Sequence, residues 1–243
     1  MKIENQKYYP DVSKTLTRTL KCKGFTLIEI LVSIAVLGIL MASLMVAFNQ
    51  ANKVTVTTQE QAEVMQNIRS STEQFNRELG QAIINNNRPD GEQVYFEIKQ
   101  LSRENSVLRF GCTTERGLVE IGYQVKPSDK GWKSYELWRL YKNKHMWNYS
   151  EPKWPALNFD SKYVEPFAFG IVAFKVKYWS SKKGRWVAGN WESIDRNSLP
   201  RKIQITLKTL TRSRARAARN IKKLSDVRGV KSFTFEVNLP QAR

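Results

Sequence analysis

Residues 25–48 read FTLIEILVSIAVLGILMASLMVAF, 24 residues that carry a single charge, Glu29. Wound as an α-helix this run is about 36 Å long, enough to cross a hydrocarbon layer of about 30 Å with some tilt. The residues before it hold Lys2, Lys7, Lys14, Arg18, Lys21 and Lys23 against Glu4 and Asp11. Excess positive charge ahead of an apolar span keeps that end in the cytoplasm and sends the C-terminal part across. The expected topology is a single pass with a large domain on the far side. A cleaved secretory signal is the simpler alternative. Its apolar region is usually about 7–15 residues long, however, and no Ala-x-Ala site follows this run; Met45-Val46-Ala47 is a poor substitute.

The junction ahead of the span reads Lys21-Cys22-Lys23-Gly24-Phe25-Thr26-Leu27-Ile28-Glu29. It resembles the G-F-T-L-x-E processing motif of type IV prepilins and pseudopilins. That resemblance implies cleavage between Gly24 and Phe25 by prepilin peptidase and N-methylation of Phe25. The apolar segment would stay on the mature chain in a bacterial inner membrane, with the head in the periplasm. Glu29 lies one helical turn from the new amine, on the same face. A carboxylate in a first turn complements the positive helix end, and unpaired in an apolar layer it costs several kcal/mol. In the family this glutamate is thought to pair with the N-terminal amine of a neighbouring subunit during assembly, and the resemblance carries that role to Glu29.

Beyond the span, residues 49–85 contain no proline and one glycine, Gly80. Met65, Ile68, Thr72, Phe75, Leu79 and Ala82 recur at steps of three and four, the row of one helix face. The pattern predicts a helix that continues to residue 86 and is stopped by Asn85-Asn86-Asn87-Arg88-Pro89-Asp90-Gly91. The expected organisation is a leader over residues 1–24, a membrane helix over 25–48, its continuation over 49–86 and a β-rich head over 87–243. The fold class is α+β and pilin-like: a long N-terminal helix, membrane-spanning in its first half, on a mainly antiparallel β head.

Strand patterns fill the head. Residues 94–99, 106–110, 118–126 and 134–141 are candidates, the last two joined as a hairpin around Gly131. Residues 169–179 alternate through Val172, Phe174, Val176 and Tyr178, as a half-buried strand does. Ile203, Ile205 and Leu207 repeat the pattern, as do Phe233, Phe235 and Val237. Residues 142–168, with Pro152, Pro155 and Pro166, read as a long connection. The order GYQV, YELWRLY, Lys177-Tyr178-Trp179, Gly184-Arg185-Trp186, Trp191 and Leu199-Pro200 looks like the J-type minor pseudopilin of type II secretion over roughly residues 118–210. Minor pilins of type IV pili share much of it. The likeness implies a structural subunit of the pseudopilus tip that primes filament assembly for export of folded proteins. Its partners would be the I- and K-type minor pseudopilins and the major pseudopilin. Trp186 and Trp191 read as packing residues, with ligand binding as the alternative. Gly38, Ala42 and Ser43 offer small residues for close helix approach.

Forty Lys and Arg against 22 Asp and Glu give a net charge of +18, which falls to +14 once the leader is removed. Arg212, Arg214, Arg216, Arg219, Lys222 and Lys223 concentrate it, with no acid between them. Three readings stay open for this segment: a solvated basic loop, a site for an anionic envelope component or partner protein, or a DNA contact. The last makes a DNA-binding minor pilin of a type IV pilus the rival function, with nucleic acid as partner. Enzymes find no support. His145 has no evident partner, and no phosphate loop, H-E-x-x-H or G-x-S-x-G motif occurs. Neither a cofactor nor a metal is expected, Glu192 and Asp195 being too few carboxylates for calcium. Cys22 leaves with the leader, so Cys112 remains without an internal partner and is expected to be buried.

Overall fold

A computed structural model describes residues 24–84, 94–115, 117–126, 136–143, 157–192, 198–218 and 226–240. The chain divides into two units, Met1–Lys53 and Val54–Arg243.

Within the first unit the described residues are Gly24 to Lys53, almost all of them in helix α1 (Leu27–Leu79). Every residue of this stretch is exposed, the large apolar ones included. A helix apolar on all sides has no amphipathic stripe to lay on a core, and a lipid environment satisfies it instead.

The second unit holds the rest of α1 and eleven strands. In chain order these are β1 (Ala82–Ile83), β2 (Phe96–Gln100), β3 (Ser106–Thr114), β4 (Gly117–Val125), β5 (Glu136–Asn143), β6 (Val164–Phe169), β7 (Ile171–Ser180), β8 (Arg185–Val187), β9 (Trp191–Glu192), β10 (Lys202–Thr209) and β11 (Lys231–Asn238). A short helix α2 (Arg212–Ala217) lies between the last two. One sheet runs β6-β5-β4-β3-β2-β9, with β1 added to β3, and the other runs β11-β10-β7-β8. Every pairing is antiparallel. The α+β, pilin-like architecture expected from the sequence is the architecture found.

Ile68, Ser71, Phe75, Glu78 and Leu79 form the buried face of α1. Phe75 is fully buried between the two sheets. Its ring centroid lies 4.5 Å from that of Tyr123 (β4), 6.0 Å from Phe167 (β6), 5.8 Å from Phe174 (β7) and 5.9 Å from Phe235 (β11). Such ring pairs add about 0.5–1.5 kcal/mol each beyond the area they bury.

Four expectations are corrected. The helix ends at Leu79 rather than 86: the Gly80 N–H still bonds the Asn76 carbonyl (3.0 Å), the Gln81 N–H then donates to the Glu78 carbonyl (3.1 Å), and the chain turns into β1. Ala82 is buried, but as a strand residue opposite Cys112. Met65 is 48% exposed and lies off the buried face. Finally, part of the predicted connection 142–168 is ordered structure. Val164–Phe169 forms β6, an edge strand, and an edge is where Pro166 is tolerated. Leu157 packs on Leu140 and Val164 outside the same sheet, over Gly122, where an added Cβ would come within 3.0 Å of the Leu157 side chain. The hairpin turn around Gly131 and the stop signal at 85–91 lie outside the described residues, although β4 and β5 do pair as expected.

Candidate functional site

At the processing junction, Gly24 has nothing within 4 Å of where a side chain would start, and Phe25 is 78% exposed. An open, non-helical Gly-Phe bond just before a helix is one a protease can reach. Thr26 sits at the N-cap. Its hydroxyl accepts from the Glu29 N–H at 3.3 Å and its carbonyl accepts the same N–H at 3.1 Å. Thr26-Leu27-Ile28-Glu29 is thus the S/T-x-x-E spacing of a capping box, and the processing motif doubles as a helix-start signal. Among the described residues, no side chain pairs with the Glu29 carboxylate. Residues 1–23 of the expected leader lie outside them.

A second carboxylate on α1 has the opposite surroundings. Glu78 is buried against β4 and β5, where Tyr123 donates to one oxygen while Arg139 and Gln74 donate to the other. Arg139 also approaches Glu165 at 3.9 Å. Register explains the convergence: Tyr123 and Arg139 are directly opposed across β4 and β5. Burial and the Glu78 charge push the Tyr123 phenol well above its ordinary range, so it stays a donor. Sequence reading missed this cluster because it followed apolar residues only. The available signal was Arg139, a lone charge inside Leu137-Trp138-Arg139-Leu140-Tyr141, together with a glutamate three residues after Phe75. Cys112 is buried beside the cluster. Desolvation, with the Glu78 charge adding to it, raises its thiol to about 12, which leaves it an unreactive thiol.

The basic segment is brought together only in part. Arg212, Arg214 and Arg216 lie exposed on α2, while Arg219, Lys222 and Lys223 lie outside the described residues. The N-cap residue, Thr211, makes no side-chain cap bond. Glu60 of α1 supplies the acceptor instead, taking the Ser213 N–H at 3.2 Å as well as the Ser213 hydroxyl. These bonds hold its carboxyl below the usual carboxylate range, chiefly through the Ser213 hydroxyl. The Arg214 guanidinium folds over Gly229.

Trp191 is buried, edge-on to Tyr178 at 4.8 Å, and donates to the Ser198 carbonyl at 3.3 Å. Trp186 is half-buried and meets Trp179 at 5.3 Å. Both therefore pack. His145 and Asp195 lie outside the described residues. Among the described ones, no three His, Cys, Asp or Glu side chains gather as metal ligands.

Compared with known proteins, residues 19–45 match the prokaryotic N-terminal methylation motif. No curated protein and no solved structure matches the chain. The motif supports membership of the pilin-like superfamily, whose members are structural subunits rather than enzymes. It implies processing by a prepilin peptidase and assembly with other pilin-like subunits. Of the described helices, only α1 is long and apolar enough to cross a membrane, which fits anchoring through a single N-terminal helix.

Proposed function

We propose that this chain is a minor pseudopilin, a structural subunit of the type II secretion pseudopilus tip that primes filament assembly for export of folded proteins. The observation that carries a filament role is the helical stretch over residues 27–48. It is apolar on every side, it opens on Gly24-Phe25, and it holds one carboxylate, Glu29, with no partner among the described residues. In this reading prepilin peptidase cuts between Gly24 and Phe25, and Phe25 is methylated on its new amine. Glu29 then pairs with the N-terminal amine of a neighbouring subunit, removing the several kcal/mol that an unpaired carboxylate costs in the apolar layer. The head lies in the periplasm and matches its neighbours by shape. The secretion assignment, rather than a pilus, rests on residues 118–210. Their resemblance to the J type falls on β4, β5, β7, β8, β9 and β10, in that order along the chain.

The test is a pull-down with the Val54–Arg243 unit against the I- and K-type heads of the same organism. A complex that survives high-salt washing supports the tip-subunit reading, and its absence counts against it. A second reading, a DNA-binding minor pilin of a type IV pilus, is favoured by the exposed Arg212, Arg214 and Arg216. It predicts duplex affinity that falls steeply with salt and drops when these three arginines become alanine.

A further inference from the structure

Between α1 and the start of β11 the second unit leaves an open groove of about 360 Å³, near the small end of the range for ligand sites, roughly 300–1,000 Å³. One wall is a single helix face, Thr58, Gln61, Ala62 and Met65, at the i, i+3, i+4, i+7 spacing. Leu210 and Phe233 line the other, so the interior is mostly apolar. Met65, the large side chain of the helix wall, is 48% exposed, and among the described residues nothing fills the space.

Two cations stand on the rim, Arg214 and Lys231. Neither has an ionic partner among the described residues, and no carboxylate is among the residues lining the groove. Gly229 belongs to the same arrangement. Its φ of 84° is the left-handed conformation that favours glycine, and any side chain there would occupy the space taken by the Arg214 guanidinium. The loop is therefore shaped to let Arg214 lie across it at the groove. Its chemistry is specific: a mostly apolar groove with two cations on its rim and no carboxylate among its lining residues, the nearby Glu60 carboxylate being held by Ser213.

We infer that this groove binds an anionic phospholipid, one acyl chain lying along Ala62, Met65, Leu210 and Phe233 with the phosphate between Arg214 and Lys231. The occupant follows from charge complementarity: two cations without an ionic partner among the described residues stand at the rim of a mostly apolar groove. A cation near a membrane surface raises the affinity for anionic lipid by roughly fivefold. The inference rests on membrane anchoring, and the choice between secretion pseudopilus and pilus does not touch it.

The experiment uses the full-length chain in a non-ionic detergent. Phosphatidylglycerol or phosphatidylcholine of the same acyl length is added, and retained lipid is counted by native mass spectrometry. Wild type, Lys231→Gln, Arg214→Gln and Met65→Trp are compared. All four share the leader and the apolar helix, so lipid held there cancels. Phosphatidylglycerol is expected to be retained at one molecule per chain beyond phosphatidylcholine. Either charge change should lower that retention roughly fivefold, and the tryptophan, by filling the trough, should abolish it. Equal retention of the two lipids would overturn the inference, as would phosphatidylglycerol retention that none of the three substitutions alters. So would binding of an acidic amphipathic peptide at Lys231 and Met65 with no lipid retained. Lys231 is exposed, so its substitution leaves the fold intact and keeps the result interpretable should Met65→Trp perturb packing. A failed pull-down with neighbouring subunits would leave the lipid count unchanged, which separates this inference from the functional reading.

Discussion

Two glutamates on one helix differ in every respect except their chemistry. Glu29 stands in a stretch where no side chain is buried, and no side chain among the described residues reaches it. Glu78 is buried and takes hydrogen bonds from Gln74, Tyr123 and Arg139. A buried carboxylate must find partners or lose its charge. Glu78 finds them inside its own fold. In the proposed reading Glu29, once in an apolar layer, finds them on another molecule. The same residue type would then fix an intramolecular arrangement at one site and call for a second subunit at the other.

The sharpest way to break that contrast is to remove each carboxylate in turn. Glu29→Leu should abolish incorporation into filaments in cells and leave the unfolding midpoint of the Val54–Arg243 unit unchanged. Glu78→Ala should do the reverse, destabilising that unit by about 3–5 kcal/mol, because Arg139 is left as a buried charge without its partner. Denaturant unfolding measures it. The paired change Glu78→Leu with Arg139→Met should recover most of the loss, since a packed apolar pair replaces a buried ion pair at little cost. If the double variant were as unstable as the single one, the cluster would have to be doing something other than satisfying charge.

A second buried carboxylate lies between these extremes. Arg109 donates through Nε to one oxygen of Glu120 at 3.1 Å, and a second guanidinium nitrogen also contacts that oxygen. The other oxygen, Oε2, is buried without a hydrogen-bond partner. Desolvation therefore raises the Glu120 carboxyl to about 7, against the pull of Arg109. With the folded value above the unfolded value of 4.5, the folded state binds the extra proton in between. This contribution is fully present below pH 4.5 and is lost as the pH rises through about 7, an effect of up to roughly 3 kcal/mol. Glu120→Gln should remove that pH dependence. Unfolding free energies of both proteins at pH 5 and pH 8 check it, and an unchanged slope would sink it.

The reach of the sequence follows the same division. Periodic apolar signals were legible: the span at 25–48, the strands around Val119–Val125, Ile171–Tyr178 and Ile203–Leu207, and the row through Ile68, Phe75 and Leu79. The end of the helix was not, because the stop was read at residues 85–91 while the chain already leaves the helix after Leu79 to pair as β1 with β3. Strand β6 was hidden by Pro166, which is compatible with a strand only at an edge, and edge position is a property of the whole sheet. The Glu78–Tyr123–Arg139 cluster was invisible for a related reason. Its members lie 45 and 16 residues apart in the chain, and only the register of β4 against β5 and the packing of α1 bring them together. The methylation motif matched over residues 19–45 was legible because its signal is local, six consecutive residues from Gly24 to Glu29.

Thr26 allows that local site to be probed without touching the carboxylate. Its hydroxyl caps the first turn, so Thr26→Ala should cost the helix start about 1 kcal/mol while Gly24-Phe25 and Glu29 remain. Hydrogen exchange at Glu29 and Ile30 in detergent should accelerate roughly fivefold, and cleavage by prepilin peptidase should persist. Loss of cleavage would mean that the protease reads the preformed helix start and not the Gly-Phe bond alone.

The smallest effect is expected at Glu60, a half-buried counterpart of Glu78 on the same helix. It too holds a distant segment, accepting the Ser213 N–H and hydroxyl at the start of α2, but water competes for every bond it makes. Glu60→Ala should therefore lower the stability of the unit by less than about 1 kcal/mol. Exchange should quicken at the Ala215 and Ala218 amides, whose bonds to the Thr211 and Arg214 carbonyls close this helix. The Glu60 carboxyl is depressed in the fold, so its contribution is present above its unfolded value and lost as the pH falls through the folded one. Acidification should then reproduce the local loosening in the wild type and leave Glu60→Ala unaffected. A large global destabilisation would mean that α2 is a structural strut and not a peripheral arm. In that case its arginines would owe their positions to the core, and the contrast between buried and exposed carboxylates on α1 would narrow to Glu29 against the other two.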